Sequence, residues 1–104
     1  MRRVDWLTSA LHDVAAIESY VAERADEATA DAFLTKLRAR CERLATLPGT
    51  LGTARPDLAP ALRSTPHNAY IIYFRYRDYA IEVVNILDAR RDALAHFDPS
   101  DPAI

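Results

Sequence analysis

The stretch Tyr70-Ile71-Ile72-Tyr73-Phe74-Arg75-Tyr76-Arg77-Asp78-Tyr79-Ala80-Ile81-Glu82-Val83-Val84-Asn85-Ile86-Leu87 decides the fold of this chain. Two β-rich runs flank the triplet Arg77-Asp78-Tyr79, which supplies the turn of a hairpin. Side chains along a strand alternate between faces. Tyr70, Ile72, Phe74 and Tyr76 therefore share one face, and Ile71, Tyr73, Arg75 and Arg77 the other. The second run is apolar on both faces apart from Glu82 and Asn85, the pattern of a central strand covered from both sides.

Upstream of the hairpin, Pro56, Pro60 and Pro66 forbid a helix and keep the chain extended or turning, with Leu62-Arg63-Ser64 as a short strand. Thr50 to Ala54 reads as a small-residue loop in which Gly52 is free to take an unusual backbone conformation. Before it, Ala30, Phe33, Leu34, Leu37, Cys41, Leu44, Ala45 and Leu47 form an apolar helical stripe, opposed by Asp31, Lys36, Arg38, Arg40, Glu42 and Arg43. Asp26 is the natural N-cap of this helix, and Pro48-Gly49 ends it. A preceding helix carries Leu11, Val14, Ala15, Ile17, Val21 and Ala22 on one side, with Tyr20 at the edge of the stripe and Thr8 or Ser9 expected as the cap. The join between the helices is a few residues, which predicts an antiparallel helical hairpin. Arg2 to Trp6 reads as a first strand, and Ala93 to Phe97 as one helical turn.

The order is thus β-α-α-β-β-β: an α+β fold with the helices on one side of a mainly antiparallel sheet. Residues 1–97 are expected to form a single domain, and residues 98–104, with Pro99 and Pro102, a frayed tail.

With 104 residues and 50% apolar composition the chain can bury a real core. A net charge of −2 argues against a protein that lives on nucleic-acid phosphate, although Arg55, Arg63, Arg75 and Arg77 are opposed only by Asp57 over that interval. One cysteine, Cys41, excludes an internal disulfide and fits a reducing, cytoplasmic setting. No run is long enough to cross a membrane and the polar start is no signal peptide, so no membrane association is expected.

Chemistry is sparse. His12, His67, His96 and Cys41 lack the close spacing of a metal site, and with only Gly49 and Gly52 there is no phosphate-cradling loop, so no metal and no cofactor are expected. Ser64 lacks the glycine-flanked elbow of a nucleophile. Acid–base cleavage of RNA would need a base, an acid and cations gathered on one sheet face, for which Arg63, Arg75, His67, Tyr73 and Arg90 are the available groups. Against this, a strand arginine commonly pairs with a carboxylate such as Glu82. Two amphipathic helices beside an aromatic hairpin better fit peptide or protein binding.

The ordered set Trp6-Leu7-Thr8, Tyr20-Val21-Ala22, Leu47-Pro48, Arg55-Pro56-Asp57-Leu58, Leu62-Arg63-Ser64, Tyr70 to Arg75, Ile81-Glu82-Val83-Val84 and Ala89-Arg90 with Asp92 resembles the ParE toxins of ParD–ParE modules, within the RelE/ParE superfamily. Where many such proteins carry a histidine-glycine pair before the alanine-arginine, this chain has Leu87-Asp88, which sets a carboxylate beside the arginines. Ala69 likewise stands where a glycine or polar residue is usual. The resemblance implies the β-α-α-β-β-β fold already read from the pattern. It further implies a non-enzymatic toxin of a type II toxin–antitoxin module that inhibits DNA gyrase and replication. A ParD-type antitoxin would neutralise it by folding around it, and would carry the DNA contacts, so no direct DNA binding is expected of the toxin. Candidates for target binding are Arg63, Arg75, Arg90 and Arg91, and candidate antitoxin anchors are Tyr20, Leu34 and Tyr73. The alternative on the same fold is a RelE-type ribosome-dependent mRNA endonuclease.

Overall fold

A computed structural model describes residues 2–97. Within them the elements are β1 (Arg3–Trp6), α1 (Thr8–Arg24), α2 (Glu27–Thr46), β2 (Thr53–Ala54), β3 (Arg63–His67), β4 (Tyr70–Arg77), β5 (Ala80–Asp88) and α3 (Ala93–His96). The strands form one sheet in the order β1-β5-β4-β3-β2. β1 runs parallel to β5, and the other described pairings are antiparallel. The expected tail, 98–104, lies outside the described residues.

The helical hairpin forms as expected, but the buried side of α1 is turned from the predicted stripe: Ala10 and Ile17 are buried, whereas Leu11 and Ala15 are exposed. Asp26 caps α2, its Oδ1 accepting from the Thr29 backbone N–H at 2.6 Å, and the Thr29 side chain, with that backbone bond, holds the carboxyl below its ordinary range. The start of α1 differs from expectation. Leu7 occupies the N-cap position without a side-chain cap, and Thr8 and Ser9 lie inside the helix. Tertiary structure provides the anchor instead: the Leu7 N–H donates to Val83 O at 3.0 Å and Ser9 Oγ donates to Val84 O. A hydroxyl tied to the neighbouring strand is unavailable to cap its own helix.

The helix-side core joins Ile17, Leu34, Leu37, Cys41 and Leu44 to Ile72, Phe74, Ile81, Val83 and Ile86. The face assignment of β4 holds: Ile72 and Phe74 face the helices, and Tyr73 faces away. A register shift at Tyr73/Phe74 leaves Val84 as an extra residue on β5. This bulge lets Val83 and Ile86, three apart, both enter the same core.

The opposite sheet face is covered as well. Leu58 and Leu62, from the turning segment between β2 and β3, pack with Tyr73 and Leu87, joined by Ala93 and Phe97. That second layer is why β5 is apolar on both sides. It also corrects the expectation that Tyr73 is an exposed anchor: Tyr73 is 2% exposed, with its ring 5.1 Å from that of Phe97.

Two strand boundaries also move. Thr53–Ala54, read as loop, pairs with Ser64 and Arg63, and the short strand predicted at 62–64 runs on through Pro66 to His67. Pro66 is tolerated because β2 stops at Ser64, leaving the rest of β3 at the sheet edge.

Candidate functional site

The described surface has one notable groove that gathers several sequence candidates. It lies between α1 and the far end of the β4–β5 pair, has a volume of about 250 Å³, and is lined by Tyr20, Tyr70, Asp88, Arg90 and Arg91, with Asp13 and Ile86 at its floor. Each wall has a local cause. The floor is set by Asp13, whose Oδ2 accepts from Asn85 Nδ2 at 2.8 Å and from the Ile86 N–H at 2.9 Å, locking α1 to β5. Tyr20 lies at the apolar edge of α1, 48% exposed, with the Arg24 guanidinium 4.7 Å from its ring centre.

Past Leu87 the chain turns. The Arg91 N–H donates to Asp88 O at 2.9 Å, and the Arg90 N–H to Asp88 Oδ1 at 2.9 Å. The Arg90 guanidinium grips the same carboxylate with two bonds of 3.0 Å. Asp88 is thereby held down to about 2, and Arg90 is pushed above its ordinary value. Burial, with Asp88 and Tyr20 nearby, raises the Tyr70 phenol, which stays a protonated donor at neutral pH. Arg91 is exposed and, among the described residues, its side chain has no hydrogen-bond or ion-pair partner.

The groove thus combines two tyrosines with Arg90 paired to Asp88, the Asp13 carboxylate held by neutral donors at the floor, and Arg91, whose side chain has no partner among the described residues. It offers hydrogen bonds and a positive charge to a partner. It contains no histidine or cysteine to act as base or nucleophile.

The remaining candidates stand elsewhere. Arg63 pairs with Phe74 across β3 and β4 and so shares its helix-side face, whereas Arg75, the next residue on β4, points to the other. Arg63 Nε donates to Leu51 O at 2.6 Å and its Nη2 to Gly52 O at 3.0 Å. Arg75 Nε reaches Glu82 Oε1 at 2.7 Å, with Arg77 at 3.3 Å from the same oxygen. Leu34, expected as an anchor, is 5% exposed within the core beneath α1. Of the anchor candidates only Tyr20 presents its side chain to solvent. His67 stands apart, edge-on to Phe33 at 5.9 Å, and burial, with Arg40 and Lys36 nearby, lowers its pKa. Its Nε2 is buried and, among the described residues, unpartnered.

The sequence reading missed Tyr70 and Asp13 as groove residues. Tyr70 is legible only as a strand residue, and Asp13 only as one more charge on a polar helix face. Among the described residues no three His, Cys, Asp or Glu side chains are grouped to hold a metal ion, and no helix is long and apolar enough to cross a membrane.

Residues 4–93 match the family profile described as the ParE toxin of type II toxin-antitoxin system, parDE. Among solved structures, the chain is similar to one described as the chromosomal ParDE TA system from P. aeruginosa. The TM-score is 0.72 at 19% identity, over 85% of this chain and 96% of that one. At that identity the likeness speaks for the fold. No curated protein gives a match.

Proposed function

Because this chain belongs to the ParE toxin family of type II toxin–antitoxin systems, we propose that it is a toxin that inhibits DNA gyrase, blocks replication, and is neutralised by a ParD-type antitoxin. The observation that carries this is the family match across residues 4–93, which runs from within β1 to the start of α3. Inhibition is by binding, without catalysis of its own.

The geometry supports binding over RNA cleavage. Cleavage needs cations and an acid–base pair converging on one phosphate. Here Arg63 and Arg75 fall on opposite sheet faces, Tyr73 is buried, and Arg75 is tied to Glu82. The groove at Tyr20, Tyr70, Arg90 and Arg91 is the proposed target-binding surface, with Arg91 as its free charge and Tyr20 as its exposed aromatic. Arg63 and Arg75 serve the fold there rather than the target.

The test is induction without antitoxin, with DNA and protein synthesis followed separately by isotope incorporation. The expected result is arrest of DNA synthesis first, with filamentous cells, and inhibition of supercoiling by purified gyrase. Earlier arrest of translation with cut mRNA would overturn the reading in favour of a RelE-type endonuclease.

A further inference from the structure

Five arginines, Arg3, Arg55, Arg75, Arg77 and Arg90, lie between 2.7 and 3.3 Å from a carboxylate oxygen. The seam between α2 and β3 is different. Lys36, Arg40 and Arg43 recur at spacings of four and three on α2, so they share one side of the helix. Arg40 reaches across to β3, where its Nη2 donates to Thr65 Oγ1 at 2.9 Å. Arg63 is two residues from Thr65 and lies on the same face of β3. It is fixed by neutral carbonyls, those of Leu51 and Gly52. Among the described residues, none of these four cations has a carboxylate partner.

The adjoining edge is open. β2 pairs only with Arg63 and Ser64, leaving Thr65 to His67 without a described neighbour on that side. His67, kept below its ordinary pKa by burial and by Arg40 and Lys36, adds no charge at neutral pH. Arg40 and Arg63 are already held in place by hydrogen bonds, so for these two little ordering remains to be done when a partner arrives. With a chain charge of −2 around it, this strip attracts anions at contact range rather than steering a long polyanion from afar.

We propose that the α2–β3 seam is a docking surface for an acidic peptide segment of a protein partner, its carboxylates pairing with Lys36, Arg40, Arg43 and Arg63. The inference rests on the reading that the chain acts in complex with a protein antitoxin, and it assigns the chemistry of one contacting segment. The surface is distinct from the groove at Arg90 and Arg91, which is formed by α1 and β5.

The experiment measures anisotropy of a labelled 16-residue peptide with glutamate at every third or fourth position, and of a labelled 16-nucleotide single-stranded DNA, against the full chain. The expected result is salt-sensitive peptide binding that falls at least tenfold in the Lys36→Glu/Arg43→Glu double variant. Lys36→Glu and Arg43→Glu should each lose more than twofold alone, whereas Arg38→Glu, the same charge change as either single substitution but on the other flank of α2, should stay within twofold of the native chain. Absence of peptide binding, equal loss in Arg38→Glu, or tighter binding of the DNA would each overturn the proposal. Circular dichroism of each variant establishes folding. Because the assay does not read toxicity, its failure is distinguishable from failure of the gyrase reading, which the synthesis measurements test alone.

Discussion

Asp13 and Asn85 are 72 positions apart, yet Asp13 Oδ2 accepts from Asn85 Nδ2 at 2.8 Å and from the Ile86 N–H at 2.9 Å. Asn85 is 5% exposed, so deleting the carboxylate leaves a buried carboxamide and a backbone N–H without their acceptor. Asp13→Ala should cost about 2–4 kcal/mol, and Asp13→Asn less, because its carbonyl oxygen still accepts. Urea unfolding of both variants checks the order.

Gly52 and Gly49 both have positive φ, +73° and +77°, but only Gly52 is crowded. A Cβ at Gly52 would lie 2.6 Å from the Ser64 carbonyl oxygen and 3.0 Å from Phe74 Cζ, whereas one at Gly49 meets nothing within 4 Å. Gly52→Ala should destabilise by about 2–4 kcal/mol, combining backbone strain with overpacking. Gly49→Ala should cost only about 1 kcal/mol. Thermal melts of the pair separate steric crowding from backbone conformation.

Asp88 has its carboxyl held down to about 2, chiefly by the Arg90 side chain and then by the Arg90 backbone N–H. A carboxylate depressed on folding stabilises the protein above its unfolded value, near ~3.9, and that contribution disappears as pH falls through the folded value. The turn after β5 should therefore loosen between pH of about 4 and about 2. In Arg90→Ala the Asp88 pKa should rise yet stay below the ordinary range, since the backbone donor remains. Carboxyl NMR titration reads both values.

Cys41 is fully buried in the helix-side core, and burial, with Glu42 nearby, pushes its thiol up to about 12. The thiolate is the reacting species, so the native protein should resist a disulfide reagent at pH 8 and react only as fast as it opens. Cys41→Ser should cost about 1–3 kcal/mol by burying a hydroxyl in an apolar site. Thiol-release kinetics with and without urea provide the measurement.

Arg91 and Arg75 should separate function from folding. Arg91 is exposed with no side-chain partner among the described residues, so Arg91→Glu should leave the unfolding midpoint unchanged. On the proposed function, its effect is at least roughly tenfold weaker gyrase inhibition, on the order of 1.4 kcal/mol of lost binding. Arg75 is bonded to Glu82 at 2.7 Å, so Arg75→Ala should lose about 1 kcal/mol of stability and keep its toxicity. A gyrase supercoiling assay beside a melting curve gives both readings.

The amino-acid pattern missed β2, and on α1 it set Leu11, 51% exposed, and Ala15 in the stripe where Ala10 is the buried residue. It did place the order of the other main elements, the α2 stripe, the facing of β4 and the burial of Cys41. These follow from periodicity: period two sorts Ile72 and Phe74 from Tyr73, and the helical repeat lines Leu34, Leu37, Cys41 and Leu44 along one side. The Asp26 cap was legible for the same reason, because its partner is only three residues away. What periodicity does not carry is which residues distant in the chain meet. Only the tertiary structure turned the 55–62 segment and α3 into a second layer, burying Tyr73 under Phe97, and drew Ser9 to Val84 rather than to its own helix. It also set Arg63 and Arg75 on opposite faces while bringing Tyr20 to Arg90 and Arg91. Register, strand order and the path of loops are decided by packing summed over the whole chain, and no local spacing encodes that sum.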